Sequence, residues 1–422
     1  MLNSITTLAL LLAAGAAFAA EPADPDPTTL DNKVLIGYQG WFTCPGDGTG
    51  RWTHWSQGVP TPETLTVEMY PNLTEFDEDE LCAVPAMTIG GKPAYLFSSR
   101  NPKTVSRHFR WMKEYGLDGV LVQRFVGEIR GKRAGGDVVL NNIMAAARES
   151  GRTFAIEYDI SGGNANTFAQ TLLEDWAYLV DELKLTAHPN YQHHRGKPLV
   201  SVWGMGLDDG PGHPPAAAQE AKDLIAAFKT RYNVTYMGGT PARWGTLSGD
   251  SKKDPEWAEV YAMMDVVQPW NVGRYATLEA VNNWKEKVLI PDLKLTAANS
   301  QLYMPVVFPG FSWQNLKKND RPNQIPRLGG EFLWRQAYNA KLAGATMLKI
   351  AMFDEVDEAT AIMKVAARRD QAPDQGFWLT LDADGADLPT DWYLRLSGEI
   401  TRMFRAEREP TAEIPLDPGP RP

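Results

Sequence analysis

The strongest constraint on the fold is an alternation between short apolar runs and segments of helical periodicity along the chain. Runs rich in Val, Ile and Leu predict parallel strands buried on both faces, and parallel strands require a crossover segment between them. Eight such runs occur, at residues 34–38, 119–124, 153–159, 198–203, 234–238, 265–270, 304–308 and 347–354. Eight strands that alternate with helices predict an α/β fold, a single (β/α)8 TIM barrel.

The segments between the runs carry apolar residues at helical spacing. Helices are predicted at residues 104–115, 138–150, 167–183, 215–232, 255–263, 278–288 and 331–343, with a closing helix at 391–405. An open doubly wound sheet is the alternative arrangement. No GxGxxG motif follows the first run, so no dinucleotide-binding motif supports that alternative.

One long stretch interrupts the alternation. Residues 41–101 separate the first strand from the first full helix and contain both cysteines, Cys44 and Cys82. In a barrel this stretch is a long loop insertion after the first strand, on the face where the strands end. Long loops are usually functional or disordered, and the aromatic content of this loop argues against disorder.

The ends of the chain differ in composition from the barrel. Residues 1–19 predict a signal peptide, because an apolar core precedes the small residues of a cleavage site. Residues 20–30 predict a flexible leader, residues 31–407 the catalytic barrel, and residues 408–422 a loose Pro-rich tail. No later run approaches the ~20 apolar residues of a membrane span. We therefore expect a secreted or periplasmic protein.

Composition excludes several classes of function. The net charge of −10 opposes binding to nucleic acid, which requires a basic surface. No P-loop, GxSxG or HExxH motif is present, and we expect no cofactor and no metal. In an oxidising compartment Cys44 and Cys82 predict one disulfide, with two free thiols as the alternative. The 14 Trp residues fit either stacking on sugars or the core of a large barrel.

Polar and aromatic residues cluster where the predicted strands end, which is where barrel enzymes carry their active sites. Such a set suits an oligosaccharide or polysaccharide, because amides and guanidinium groups bind hydroxyls and aromatic rings stack on sugar faces. The predicted substrate-binding residues are Tyr38, Trp41, His54, Trp55, Arg124, Tyr158, Asp159, Trp203, Gln268, Trp270 and Trp313. Three have alternative interpretations: Asp159 as a helix-capping or loop-fixing residue, Arg124 as the partner of a catalytic carboxylate, and His54 as a structural or solvated loop residue.

The acidic run at residues 354–358 ends the eighth predicted strand. Glu355 and Glu358 lie three residues apart, on one side of a turn or helix. Two neighbouring carboxyls can separate their pKa values, so that one acts as an acid and the other as a base. The alternative is a helix N-terminus, where acidic residues favour the helix dipole. The strand-end position favours catalysis by Glu355 and Glu358, with Asp354 and Asp357 in support.

Two motifs resemble the glycoside hydrolase family 71/99-like proteins, whose best-known members are the endo-α-mannosidases of family 99. The first is Gly37-Tyr38-Gln39-Gly40-Trp41-Phe42 followed by Gly46-Asp47-Gly48. The second is Phe353-Asp354-Glu355-Val356-Asp357-Glu358. The resemblance implies that Glu355 acts as a base on the 2-hydroxyl of the sugar and Glu358 as acid on the leaving oxygen. The resemblance also implies a 1,2-anhydro sugar as the intermediate, which water opens with overall retention of the configuration at C1. This chain has Val356 and Asp357 where the family has Trp-His, and Ala359 where it has Gly.

The sequence therefore predicts a secreted glycoside hydrolase that cleaves an α-linked glycan, of mannan type by the resemblance. A non-catalytic carbohydrate-binding barrel is the alternative, because aromatic residues at strand ends serve binding equally well. A metal-dependent hydrolase that uses the acidic run is a third hypothesis, and the presence of only 6 His opposes it.

Overall fold

The computed structural model describes residues 23–208, 213–215, 217–318 and 321–418. The signal peptide predicted for residues 1–19 lies outside these ranges. Twelve strands are described. They are β1 Val34–Tyr38, β2 Leu81–Ile89, β3 Lys92–Phe97, β4 Gly119–Phe125, β5 Thr153–Asp159, β6 His193–His194, β7 Lys197–Trp203, β8 Thr235–Pro241, β9 Val266–Trp270, β10 Leu302–Tyr303, β11 Val306–Val307 and β12 Leu348–Ile350.

The main sheet closes into a barrel. Its strand order is β10-β9-β8-β7-β5-β4-β1-β12-β11, and β6 pairs with β7 outside this path. β10 is parallel to β9 and β11 is parallel to β12. Met304 and Pro305 alone separate β10 from β11, so one segment joins the two ends of the sheet. The predicted (β/α)8 barrel is confirmed.

The seventh barrel strand differs from the predicted run at 304–308. It begins earlier, at Leu302, and its pairing changes partner at Met304 and Pro305. The amide of Met304 donates to the Val267 carbonyl at 2.9 Å, and the Pro305 carbonyl accepts from the amide of Lys349 at 3.0 Å. Proline has no N–H to continue a ladder, so the pairing is interrupted at this residue.

Helices cover the outside of the barrel. They are α1 Pro102–Glu114, α2 Val126–Ser150, α3 Phe168–Asp181, α4 Ala218–Tyr232, α5 Glu256–Ala262, α6 Leu278–Trp284, α7 Ile290–Ala298, α8 Gln314–Lys317, α9 Glu331–Leu342 and α10 Trp392–Phe404. A π-helical turn at Lys285–Leu289 joins α6 to α7, where one helix was predicted. None of the helices in the described ranges has the length and apolar character needed to cross a bilayer.

Helix α2 begins at Val126, whereas the sequence predicts a helix from residue 138. The added turns include a break at Arg130 and Gly131, where the φ angle of Gly131 is 88°. Glycines at 127, 131, 135 and 136 weaken the helical signal in this stretch, because glycine is a poor helix former. Packing against the barrel and α3 overrides this low propensity.

The insertion at residues 41–101 is not wholly a loop, as predicted, because β2 and β3 form an antiparallel hairpin inside it. The register is irregular between Ala83 and Thr88, so the alternation that would identify the hairpin from sequence is broken. Cys44 and Cys82 form a disulfide bond that joins the start of the insertion to the hairpin.

Both predicted loose segments contact the barrel, so the predictions of a flexible leader and a loose tail are wrong for their described parts. Asp24 pairs with buried Arg152 at 2.6 Å, and Leu30 is fully buried. In the tail, the Thr411 carbonyl accepts from the Trp334 indole N–H at 2.9 Å. Composition does not reveal these contacts, because each depends on a partner more than 70 residues away along the chain.

We expect the disulfide to stabilise the insertion. A variant with Cys44→Ser and Cys82→Ser loses a cross-link between residues 38 positions apart, and its free energy of unfolding falls by about 2–4 kcal/mol. Chemical denaturation of the two proteins measures the difference. A reductant should reduce the stability of the native protein to that of the variant. Equal stability of both proteins without reductant contradicts the prediction.

Candidate active site

A cavity of about 240 Å³ lies at the carboxyl ends of the barrel strands. This is where the parallel strands of a barrel bring side chains from distant positions together. Its lining residues are Gln39, Trp41, Gln123, Phe125, Asp159, Ser161, Trp203, Trp270, Met352, Glu355 and Glu358. The ends of six barrel strands therefore contribute to one polar and aromatic cavity.

Asp354 joins the last strand of the barrel to the first. Its carboxylate accepts the backbone N–H groups of Gln39 and Gly40, each at 2.8 Å. The amide of Phe353 also donates to the Gly37 carbonyl at 2.7 Å. Asp354 is fully buried, and burial raises its pKa to about 6 against these two hydrogen bonds. Asp354 thus supports the site, because its two oxygens are already engaged by the backbone.

The segment that follows forms a turn, not the first turn of a helix. The amide of Val356 donates to the Asp354 carbonyl, and those of Thr360 and Ala361 donate to the Glu355 carbonyl. No helix begins between 354 and 358. The helix N-terminus alternative for the acidic run is therefore wrong.

Glu355 and Glu358 both line the cavity. Burial raises the pKa of Glu355 well above its ordinary value, and the charges of Glu358 and Asp357 add to the effect. The Gln39 amide donates to Glu355 at 3.1 Å and opposes the rise. Burial, followed by the charge of Asp357, raises the pKa of Glu358 to about 7, and Trp313 opposes this rise. Like charges in a buried site favour a pair that holds one proton, which provides one acid and one base.

Asp159 lies in the same cavity and also fixes a loop. Its carboxylate accepts the backbone N–H of Ser161 at 2.8 Å and the hydroxyl of the same residue. Burial raises its pKa to about 6. Asp159 is therefore a loop-fixing residue that also lines the cavity, and its contact with substrate stays a prediction.

Tryptophans form the cavity walls in two different ways. Trp203 and Trp270 meet edge to face, with ring centroids 5.5 Å apart. The Trp41 ring stacks with that of His54, at a centroid distance of 3.8 Å, and with that of Phe125, at 5.5 Å. The indole N–H groups of Trp41 and Trp203 have no hydrogen-bond partner within the described ranges, so they are available as donors.

Tyr38, Trp55 and Tyr158 were predicted to bind substrate, and the structure instead buries them in the core. The Tyr38 hydroxyl lies 2.9 Å from Nδ1 of His108. The Trp55 indole donates to the Phe97 carbonyl at 3.0 Å, and Tyr158 donates to an aspartate of α3. Side chains alternate along a strand, so a residue beside one that lines the cavity points toward the helices.

Arg124 and Gln268 also differ from the prediction that they contact substrate in this cavity. Arg124 makes two hydrogen bonds to Asp175, at 2.6 and 2.7 Å, and one to Asp137 at 3.1 Å. It points outward from β4 and pairs with aspartates of α2 and α3, not with the catalytic carboxylate that the alternative interpretation named. Gln268 is fully buried in the barrel interior, where its side-chain oxygen accepts from Lys349 at 3.2 Å. It lies two residues before Trp270, one layer below the cavity.

His54 and Trp313 lie at the edge of the site. His54 stacks on Trp41 and places Nδ1 3.8 Å from a carboxylate oxygen of Asp357. Trp313 interacts with Glu358. Its loop is held by Ser312, whose amide donates to the Glu358 carbonyl at 3.0 Å.

Sequence reasoning left five cavity residues out of the predicted substrate-binding set. They are Gln39, Gln123, Phe125, Ser161 and Met352. The signal for the first three was available, because each lies at the end of a predicted strand. Met352 and Ser161 follow strand ends in turns, where sequence alone does not specify the direction of a side chain.

Among the described residues, no group of three or more His, Cys, Asp or Glu side chains is arranged to hold a metal ion.

Two solved structures of the GH99 endo-α-mannosidase from Bacteroides thetaiotaomicron are similar to this chain. One, determined in complex with bis-tris propane, has a TM-score of 0.65 and 20% sequence identity, and the alignment covers 91% of this chain and 100% of that chain. The other has a TM-score of 0.63 and 18% identity, with 90% and 99% covered. No protein-family model matches the sequence, and no curated protein matches it. The similarity confirms the predicted resemblance at the level of the fold.

We expect Arg124 to act in folding. In Arg124→Leu the buried carboxylate of Asp175 loses its partner, so the free energy of unfolding falls by about 3–5 kcal/mol. Urea denaturation checks the change. Arg130→Leu is the matched control, since exposed Arg130 is 4.0 Å from exposed Glu174 and its loss costs about 0–1 kcal/mol. Unchanged stability in Arg124→Leu with lost sugar binding would restore the substrate role.

Proposed function

We propose that the protein is a retaining glycoside hydrolase that cleaves an α-linked glycan. The observation that carries the proposal is a pair of carboxyls, buried Glu355 and half-buried Glu358, in a cavity with tryptophan walls at the strand ends. A sugar site needs carboxyls for proton transfer and aromatic surfaces for the ring. The barrel fold shared with the GH99 endo-α-mannosidase supports the same assignment.

In the first step, Glu355 removes the proton from the 2-hydroxyl of the sugar. O2 attacks C1, the bond from C1 to the leaving oxygen breaks, and Glu358 donates a proton to that oxygen. In the second step, the Glu358 carboxylate removes a proton from water, and the water oxygen attacks C1. The bond from C1 to O2 breaks, and O2 recovers its proton from Glu355. Two inversions at C1 give overall retention.

This chemistry selects the configuration of the sugar. O2 reaches C1 only from the face opposite the leaving oxygen, so the 2-hydroxyl and that oxygen lie on opposite faces of the ring. α-Linked mannose satisfies the requirement, which supports a substrate of mannan type. Val356 and Asp357 differ from the Trp-His of the family, so the proposal is an α-linked glycan of this configuration, not one defined polymer.

The surroundings of the two carboxyls favour a proton on Glu355, whereas the proposed reaction needs that proton on Glu358. Substrate must therefore shift the proton from one carboxyl to the other. Glu355 is 6% exposed and surrounded by negative charge, whereas Glu358 is half-buried, so the shared proton favours Glu355. If Glu355 is to act as the base, it must be ionised and Glu358 must hold the proton. A 2-hydroxyl that donates to Glu355 stabilises its carboxylate, and a glycosidic oxygen that accepts from Glu358 retains the proton there.

Export is part of the proposal. The N-terminal residues predict a signal peptide, and the disulfide between Cys44 and Cys82 requires an oxidising compartment in most organisms. We therefore place the protein outside the cytoplasm, in the medium or the periplasm. Its partner there is an extracellular oligosaccharide or polysaccharide.

The roles of the two glutamates can be separated by leaving group. We expect Glu355→Gln and Glu358→Gln each to lower kcat on an α-linked oligosaccharide by at least about 10²-fold, the contribution of one acid or base. An α-mannoside with a dinitrophenyl leaving group needs no acid in the first step, so Glu358→Gln should recover the release of dinitrophenolate from it, although its second step still lacks a base. Glu355→Gln should not, because the base is still missing.

Glu174→Gln on the surface is the matched control and should retain full activity on both substrates. Recovery in Glu355→Gln instead of Glu358→Gln would exchange the two roles. Hydrolysis that survives both substitutions would overturn the catalytic pair. Sugar binding without hydrolysis in the native protein would favour the carbohydrate-binding alternative.

The pH profile follows from the raised pKa values. Below about pH 5 both carboxyls are protonated and no base is present. As the pH rises toward the pKa of Glu358, about 7, the first proton leaves the pair and activity should increase. The charge of Asp357 raises the pKa values of both glutamates, and Asp357→Asn removes it. The increase of activity with pH should therefore occur about one pH unit lower in this variant. Measurements of kcat/KM against pH test the shift.

Asp370→Asn, an exposed change of the same kind, should leave the profile unchanged. A profile of Asp357→Asn that matches the native protein, or lies at higher pH, would contradict this account of the site.

A further inference from the structure

A second cavity, of about 160 Å³, adjoins the active site. The two cavities share four lining residues, Gln39, Trp41, Gln123 and Phe125. A ligand that passes across the stacked rings of Trp41 and Phe125 can therefore occupy both. The second cavity lies between the insertion after β1 and the first part of α2.

Its lining is basic, in contrast to the acidic active site. Arg51, Arg100 and Arg133 line it, and Glu128 is the one carboxylate among its lining residues in the described ranges. Arg124 also reaches it, but Asp175 and Asp137 already balance that charge. The chain as a whole carries a net charge of −10, so the positive charge of three arginines at one cavity contrasts with the rest of the protein.

These three arginines have no ion-pair partner within the described part of the chain. Arg100 donates to the Gly135 carbonyl at 3.0 Å, and its Nε has no hydrogen-bond partner among the described residues. The Arg133 guanidinium lies 3.9 Å from the centroid of the Tyr178 ring. Arg51 is exposed at the mouth of the cavity. Guanidinium groups without a carboxylate partner are suited to bind an anion that accepts hydrogen bonds from several of them.

We propose that this cavity binds a negatively charged group of the glycan, a carboxylate or a sulfate ester, while a neighbouring sugar occupies the active site. The proposal rests on the proposed function, because it extends the same substrate beyond the reacting sugar. It narrows the substrate class from α-linked glycans in general to acidic ones. The arginines bind the anionic group of the glycan through their charge. The aromatic residues shared by the two cavities contact the sugars that lie between them.

The test compares acidic and neutral sugars on an inactive protein. Isothermal titration of the full chain with Glu355→Gln and Glu358→Gln uses two matched pairs of probes. One pair is α-mannotriose with a carboxylate at C6 of its terminal sugar and α-mannotriose itself, and the other is α-mannotriose with and without a sulfate ester. We expect one acidic probe to bind about tenfold more tightly than its neutral partner, and the preference to weaken with added salt.

Removal of the arginines should abolish the preference. Arg51→Gln, Arg100→Gln and Arg133→Gln together should bring the acidic probe to the affinity of the neutral one. Arg51→Gln alone, an exposed change that leaves the core untouched, should reduce the preference severalfold if the triple variant does not fold. The surface triple Arg195→Gln, Arg231→Gln and Arg368→Gln removes the same charge and should leave the preference intact.

The pair that shows the preference identifies the anion as a carboxylate or a sulfate. The inference is overturned if each acidic probe binds with the same affinity as its neutral partner. It is also overturned if the preference for the acidic probe survives the loss of the three arginines. These results are independent of catalysis. Absent hydrolysis with a retained acidic preference would overturn the proposed function alone, and intact hydrolysis without the preference would overturn this inference alone.

Discussion

The candidate active site depends on one buried interaction, in which the Asp354 carboxylate accepts hydrogen bonds from two backbone N–H groups. Gln39 and Gly40 are at the end of the first strand, and Asp354 follows the last, so these bonds connect two strands that pair in the barrel. The same bonds fix the start of the turn that carries Glu355 and Glu358. A buried carboxylate without such donors would cost several kcal/mol, so the arrangement is strongly specified.

Strand alternation explains which predicted residues reach the cavity. In β5, Tyr158 points to α3 and Asp159 points to the cavity; in β4, Arg124 and Phe125 differ in the same way. The sequence correctly placed these side chains at strand ends, but adjacent residues of each strand face opposite sides. The outward residues are consequently structural, and the ion pair between Arg124 and Asp175 stabilises the packing of α3 on the barrel.

The two cavities have opposite electrostatic character across one shared wall. Glu355 and Glu358 concentrate negative charge and retain a proton, whereas Arg51, Arg100 and Arg133 lie beyond Trp41. The stacking of Trp41 with His54 and with Phe125 forms part of this wall. The proposed acid–base chemistry and the proposed anion binding therefore belong to neighbouring cavities that share Trp41 and Phe125.

The sequence by itself determined the barrel, the acidic run and the position of the site at the strand ends, because each is encoded locally by hydrophobic periodicity and by residues that follow a strand. Only the tertiary structure decided the direction of Tyr38 and Tyr158, the hairpin in the insertion, and the contacts of the chain ends with the barrel. It also brought Arg51, Arg100 and Arg133 to one cavity. These features depend on contacts between residues far apart in the chain, and no local pattern records such contacts.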